Sequence, residues 1–168
     1  MTILYAGGII LLHLYKCNTK DLGIFMIVCC FGHRDAPLEM RDKLKEALLK
    51  IIEQYGEITI YVGNHGRFDF YVASVAKELK YLKFPIECYI VLSYVPTKID
   101  QFSYYRNFPT LVPEGIELVH PKKAITYRNH WMIDEAKVVV VYTVHSSGGA
   151  FAAVNYAKKK NKKILYLE

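Results

Sequence analysis

A chain of 168 residues, 52% hydrophobic and 23% charged, has the length and composition of one domain with its own core and is short for two. Such an apolar content excludes an intrinsically disordered chain. Its 22 basic and 16 acidic residues leave a net charge of +6, but Lys158, Lys159, Lys160, Lys162 and Lys163 crowd one predicted helix end, where the helix dipole favours cations, so basicity alone assigns no nucleic-acid partner.

Residues 1–23 do not fit the pattern that follows. Ile3 to Leu14 is an apolar run too short to span a bilayer, and no basic stretch precedes it as in a signal peptide. The segment reads as an N-terminal extension, either outside the natural protein or a poorly ordered arm. Met26 is the expected natural start, and no membrane partner is expected. Residues 24–168 form the domain proper. Ile24 to Phe31 reads as a buried strand ending in Gly32, His33, Arg34 and Asp35. Asp35 is the expected N-cap of the next helix, with Pro37 in its first turn. Leu44, Leu48, Ile51, Ile52 and Tyr55 then recur at helical spacing up to Gly56.

Glu57 to Val62 is a second strand, followed by Gly63, Asn64, His65 and Gly66. Phe68, Val72, Val75, Ala76 and Leu79 make the next helical stripe. Ile86 to Val95 is a third strand stopped by Pro96, and the aromatic, polar stretch from Thr97 to Pro113 reads as a loop or irregular helix. Ile116 to Val119 is expected to be a short strand and Thr126 to Ala136 a helix. Val138 to Tyr142, apolar without interruption and mostly β-branched, has the composition of a central strand covered on both faces. Ser146, Ser147, Gly148 and Gly149 lead into a helix rich in Ala150, Ala152, Ala153 and Ala157, and Lys163 to Leu167 is the last strand.

Strands alternating with helices imply right-handed crossovers, hence a Rossmann-like α/β domain: a mainly parallel sheet with helices on both faces. Ligands bind such sheets beyond the carboxyl ends of the strands. Glycine and polar residues gather at three of those ends. Paired glycines at a helix N-terminus, where backbone N–H groups lack partners, suit a phosphate or simply make a tight turn. Arg34 and Arg128 are the candidate phosphate cations, since a guanidinium offers paired donors; a salt bridge for Arg34 and a polar tether to the sheet for Arg128 are the competing roles. Asn64 suits a turn or a ribose or base contact, and Asp69 and Asp35 suit helix caps or, towards a ligand, a ribose contact or a general base. The cysteines (Cys17, Cys29, Cys30, Cys88) and histidines have no metal-ligand spacing, and reduced core thiols suit a cytoplasmic protein.

F-G-H-R-D after the first strand, G-N-H-G-R-F-D after the second, R-N-x-W-M on a late helix and a G-G-A turn before the last helix resemble the SLOG superfamily. This Rossmann-like group includes the DNA-processing protein Smf and the Lonely Guy hydrolases, and the chain is most similar to its small uncharacterised YpsA-like bacterial branch. The resemblance covers Ile24 to Leu167 and implies a pocket for a nucleotide or nucleotide-derived ligand, with no further cofactor. The ligand-binding set it selects is Gly32, His33, Arg34, Gly63, Asn64, Asp69, Arg128, Asn129, Ser147, Gly148 and Gly149.

Lonely Guy enzymes carry R-K-x-x-M and P-G-G-x-G-T-x-x-E motifs, whose arginine and glutamate serve cleavage of an N-glycosidic bond. Arg128 and Met132 match the first. In the second, Ser147, Gly148 and Gly149 match in part, Phe151 and Ala152 replace glycine and threonine, and Asn155 stands where the glutamate would be. An amide neither activates water nor stabilises an oxocarbenium-like state as a carboxylate does. Binding or sensing without catalysis is the first expectation. A nucleoside 5′-monophosphate N-glycosidase using Asp69 and Arg128 is the second, and single-stranded DNA binding the third. A homo-oligomer is compatible with each.

Overall fold

The computed structural model describes the strand Thr2–Leu4 and residues 26–95 and 107–168. In chain order these form β1 (Thr2–Leu4), β2 (Met26–Gly32), α1 (Glu39–Tyr55), β3 (Ile58–Val62), α2 (Arg67–Tyr81), β4 (Ile86–Val91), β5 (Thr110–Val112), a 3-10 turn at Ile116–Leu118, α3 (Pro121–Glu135), β6 (Val138–Tyr142), α4 (Gly148–Lys159) and β7 (Lys163–Tyr166). One seven-stranded sheet has the order β1-β5-β4-β3-β2-β6-β7. Six strands run parallel and β1 pairs antiparallel with β5 at one edge. The fold is the expected Rossmann-like α/β domain.

This order follows from the handedness of the crossovers. From β2 the chain steps outward through β3 and β4 to β5, then returns to place β6 on the other side of β2 and β7 beyond it. Right-handed connections therefore put α1 and α2 on one face and α3 and α4 on the other. Each face has its own core. Val28, Cys30, Ile58, Ile60, Ile90 and Val140 point towards Leu44, Leu48, Phe68 and Leu79; Cys29, Tyr61, Val91, Val139 and Val141 point towards Met132, Ile133, Ala153 and Ala157. Val138, Val139, Val140 and Val141 are buried on alternating faces, which is why that run carries no polar residue. Burial drives the thiols of Cys29, Cys30 and Cys88 well above their ordinary range, leaving them as apolar core groups.

Several boundaries differ from expectation. Helix α1 begins at Glu39 with Leu38 at its N-cap and no side-chain cap; Asp35 instead lies in a tight turn closed by the Ala36 N–H on the His33 carbonyl. Pro37 therefore precedes the helix, and its carbonyl accepts from Met40 N–H. Tyr55, assigned to the apolar stripe, is exposed and holds Lys163 Nζ through its hydroxyl at 2.9 Å. Strand β4 ends at Val91, and the expected strand at Ile116–Val119 is a 3-10 turn entered through Gly115 at φ 81°. The loop region from Thr97 to Pro113 contains β5, whose three residues are too few to show an alternating pattern. The part of that region at 97–106 lies outside the described residues, as do residues 5–23 of the expected N-terminal extension. Thr2–Leu4 of that extension is β1.

Candidate functional site

The reversal of strand order between β2 and β6 makes a crevice at their carboxyl ends, the place where open parallel sheets hold ligands. His33, the first residue beyond β2, ties the two sides together. Its Nε2 accepts from the backbone N–H groups of Val144 (3.0 Å) and His145 (3.3 Å) and lies 3.1 Å from Thr143 Oγ1. Two N–H donors on one ring nitrogen require a neutral imidazole with its proton on Nδ1. Partial burial and the nearby His145 lower the His33 pKa, against a smaller opposing effect of Asp35, so the neutral form persists. The ring is thus engaged by the loop that delivers α4. His33→Ala is expected to cost about 1 kcal/mol, because solvent replaces an acceptor on an exposed loop, and to speed amide exchange at Val144 and His145. Exchange rates unchanged at both amides would refute this role.

Arg34 follows and is exposed. Its carbonyl accepts from Arg67 N–H at 2.9 Å, and its Cα backs onto Gly66 so closely that a Cβ there would lie 2.9 Å away. The loops after β2 and β3 are therefore in backbone contact. The Arg34 guanidinium makes no ion pair or hydrogen bond among the described residues.

Beneath this rim lies a buried polar cluster. Gly63 directly follows β3, and the space a side chain would occupy is filled by the Arg128 guanidinium from α3 and by Asp69 Oδ2 from α2. Arg128, 3% exposed, donates from Nη1 to the Val91 carbonyl at 2.8 Å, which moors α3 to the end of β4. Asp69 is the third residue of α2, and its Oδ2 reaches back to accept from His65 N–H at 2.9 Å, a capping interaction from inside the helix. Burial pushes the Asp69 pKa up to about 6, against the opposing pull of the Arg128 charge and the His65 N–H. Burial first, and then the Arg128 and Arg34 charges, hold His65 below its ordinary range. Asn64 is half-buried between the cluster and the rim.

Helix α4 starts at Gly148, with Ser147 at its N-cap and no side-chain hydrogen bond closing the first turn. Gly148 has φ 88°, a conformation that a side chain disfavours. A Cβ on either Gly148 or Gly149 would meet nothing within 4 Å. Ser147, Gly148 and Gly149 are thus exposed where this helix begins, beyond the end of β6.

The structure gathers the expected residues into two tiers. Arg34, Ser147, Gly148 and Gly149 are exposed, with His33 bracing the loop between them; Gly63, Asn64, Asp69 and Arg128 lie lower, at the end of β3. Gly32 is filled over by the Phe68 ring, so its missing side chain serves packing between β2 and α2. Asn129 is half-buried and, one step along α3 from Arg128, is turned about 100° from it. Trp131 stacks on Tyr61 (5.5 Å, 14°), within the packing of the α3 face, and His120 caps α3 by accepting from Lys122 N–H. The Val91 carbonyl, the His65 amide and Thr143 were not anticipated, because main-chain groups carry no residue signature and Thr143 stands outside every motif. Among the described residues no cluster of His, Cys, Asp or Glu suits a metal, and no helix is long and apolar enough to cross a membrane.

No protein-family model and no curated protein sequence matches the chain. Solved structures do share its fold. The X-ray structure of DNA processing protein A from Streptococcus pneumoniae matches 84% of this chain and 50% of its own, at a TM-score of 0.64 and 14% identity. The Helicobacter pylori DNA processing protein A, described for its single-stranded DNA binding mode, matches 84% of this chain and 64% of its own, at 0.59 and 16%. The protein TM1055 matches 83% of this chain and 72% of its own, at 0.51 and 16%. The chain spans about half to two thirds of the length of the two DNA-processing proteins. At these identities the likeness is one of fold.

Proposed function

We propose that the chain binds a nucleotide or nucleotide-derived ligand at the carboxyl ends of β2, β3 and β6, in a binding or sensing role rather than a catalytic one. The observation that carries this reading is the bracing of the loop before α4 by His33, whose neighbour Arg34 has a guanidinium without an ion pair or hydrogen bond among the described residues. A helix N-terminus without a side-chain cap and a free guanidinium are the two devices with which proteins most commonly hold phosphate. The sugar and base then lie towards Asn64, Asp69 and Arg128.

Non-catalytic binding is favoured because Asp69, the carboxylate a glycosidase would use, already has a structural role. Asp69 is 8% exposed and one of its oxygens serves the His65 amide, so it is poorly placed to activate water. The glycosidase reading retains one supporting observation, an Asp69 pKa near 6, which suits proton transfer close to neutral pH. Single-stranded DNA binding is supported by the likeness in fold to a protein described for that activity.

Titration calorimetry with nucleoside 5′-monophosphates and with a single-stranded oligonucleotide separates these readings. Saturable binding of a monophosphate with no release of free base is expected. Release of base, abolished by Asp69→Ala, would establish the enzyme instead. Binding of the oligonucleotide alone, weakening steeply with salt, would establish the DNA reading.

A further inference from the structure

Two polar atoms at the end of β3 remain unsatisfied. Asn64 Oδ1 and Arg128 Nε are both buried, and neither has a hydrogen-bond partner among the described residues. Buried polar groups are nearly always paired, so two unpaired ones beside one strand end point to a ligand of complementary chemistry. They belong to one neighbourhood. Asn64 directly follows Gly63, and the Arg128 guanidinium and Asp69 Oδ2 both crowd the one point where a Gly63 Cβ would lie. Asp69 Oδ1 makes no hydrogen bond among the described residues, whereas Oδ2 is taken by His65 N–H.

The chemistry of the occupant follows from the two orphans. Asn64 Oδ1 accepts and Arg128 Nε donates, so the complement must offer both a donor and an acceptor. A hydroxyl does so with a single oxygen. A phosphate oxygen only accepts, and a carboxylate would lie against Asp69. Adjacent hydroxyls, as on a ribose, also provide a donor for Asp69 Oδ1, and an acidic residue bonding a ribose hydroxyl near a strand end is a recurrent arrangement in doubly wound sheets.

We propose that Asn64, Arg128 and Asp69 form a subsite that reads sugar hydroxyls, so that the chain selects a ribose-bearing phosphate ligand over its deoxy counterpart. This rests on the nucleotide reading above and sharpens it, with phosphate towards α4 and Arg34 and the diol at the end of β3. Selectivity arises because a ligand without the hydroxyl leaves buried partners unpaired, a loss that apolar contact does not recover.

The test is calorimetry on the full chain with AMP, GMP, CMP and UMP, their 2′-deoxy and 3′-deoxy forms, ribose 5-phosphate and 2-deoxyribose 5-phosphate. At least one deoxy form is expected to bind about 10- to 100-fold more weakly than its parent. Asn64→Ala, half-buried and outside every helix and strand, is expected to keep the parental melting temperature and to bring that ratio close to one. The same preference among the sugar phosphates would support the subsite and identify a free sugar phosphate as a sufficient ligand. Equal affinity for parent and both deoxy forms, or full discrimination retained in Asn64→Ala, would overturn the hydroxyl assignment and leave nucleotide binding standing. Failure of every probe to bind would overturn both.

Discussion

Replacing Arg128 by alanine lowers the unfolding free energy by about 3–5 kcal/mol, because a buried hydrogen-bonded cation is lost together with its packing and its charge beside Asp69. Three losses coincide. The buried side chain leaves a void between α3 and the sheet, the Val91 carbonyl loses the guanidinium donor at 2.8 Å, and Asp69 loses the positive charge that opposes its burial. In a domain of this size such a change lowers Tm by about 10 °C. Urea titration or calorimetric melting measures it directly. A Tm within about 2 °C of the parent would mean that α3 is held by its apolar residues alone and that the guanidinium is dispensable to the fold.

The same variant changes the dependence of stability on pH. Asp69 has a folded pKa of about 6 against an ordinary value of 3.8. A carboxyl raised on folding binds its proton more tightly in the native state, so its contribution is full below about pH 4 and is lost as pH rises through about 6. Glu78, on α2, has the opposite sign, its pKa lowered by hydrogen bonds to Lys45 and Arg41. Comparing the parent with Asp69→Asn cancels that and other shared contributions. The difference is expected to fall between about pH 4 and 6 and then level off. In Arg128→Ala the falling limb moves to higher pH, since desolvation of the carboxyl is no longer opposed. Parallel profiles for the parent and Asp69→Asn would show that Asp69 titrates as an ordinary carboxyl.

The physics of each segment explains which parts of this architecture can be read from its residues. Val138–Tyr142 and the stripe Phe68, Val72, Val75, Ala76 and Leu79 are legible because burial on two faces and on one face leaves different periodicities, and both occur without interruption. The crossover order follows once the strands are known. Strand β5 is illegible because three residues cannot show a period, and the turn at Ile116–Leu118 misleads because a β-branched residue among apolar neighbours looks the same in a strand. At the site, the motifs identify the loops but not their depth. Gly32 and Gly63 look alike in sequence as glycines ending strands, yet one is covered by Phe68 and the other by a guanidinium and a carboxylate. What distinguishes them is a residue dozens of positions away. Likewise His33 and His65 sit in matching motifs, but only His33 meets the loop from β6, and topology alone brings that loop within reach.

Gly149→Val is expected to abolish most phosphate-dependent affinity while leaving the fold intact, and the two halves of that expectation have separate causes. The fold tolerates the change because a Cβ at position 149 meets nothing within 4 Å and, unlike Gly148, the residue does not have a positive φ. Valine is also a better helix former than glycine, so Tm should hold or rise slightly. Affinity falls because the open space above Gly149 is where an anion would approach the first N–H groups of α4, and two branched methyl groups exclude it. Charge-assisted hydrogen bonds to such an anion contribute about 1.5–3 kcal/mol each, so losing one lowers affinity by about 10- to 100-fold. Gly149→Ala, with a single methyl group, should fall between the parent and valine. Calorimetric titration of the three proteins with one nucleoside monophosphate, alongside their melting curves, tests both halves together. Equal affinity across the series with unchanged Tm would remove the phosphate from α4 and leave Arg34 as the candidate anion anchor on this rim.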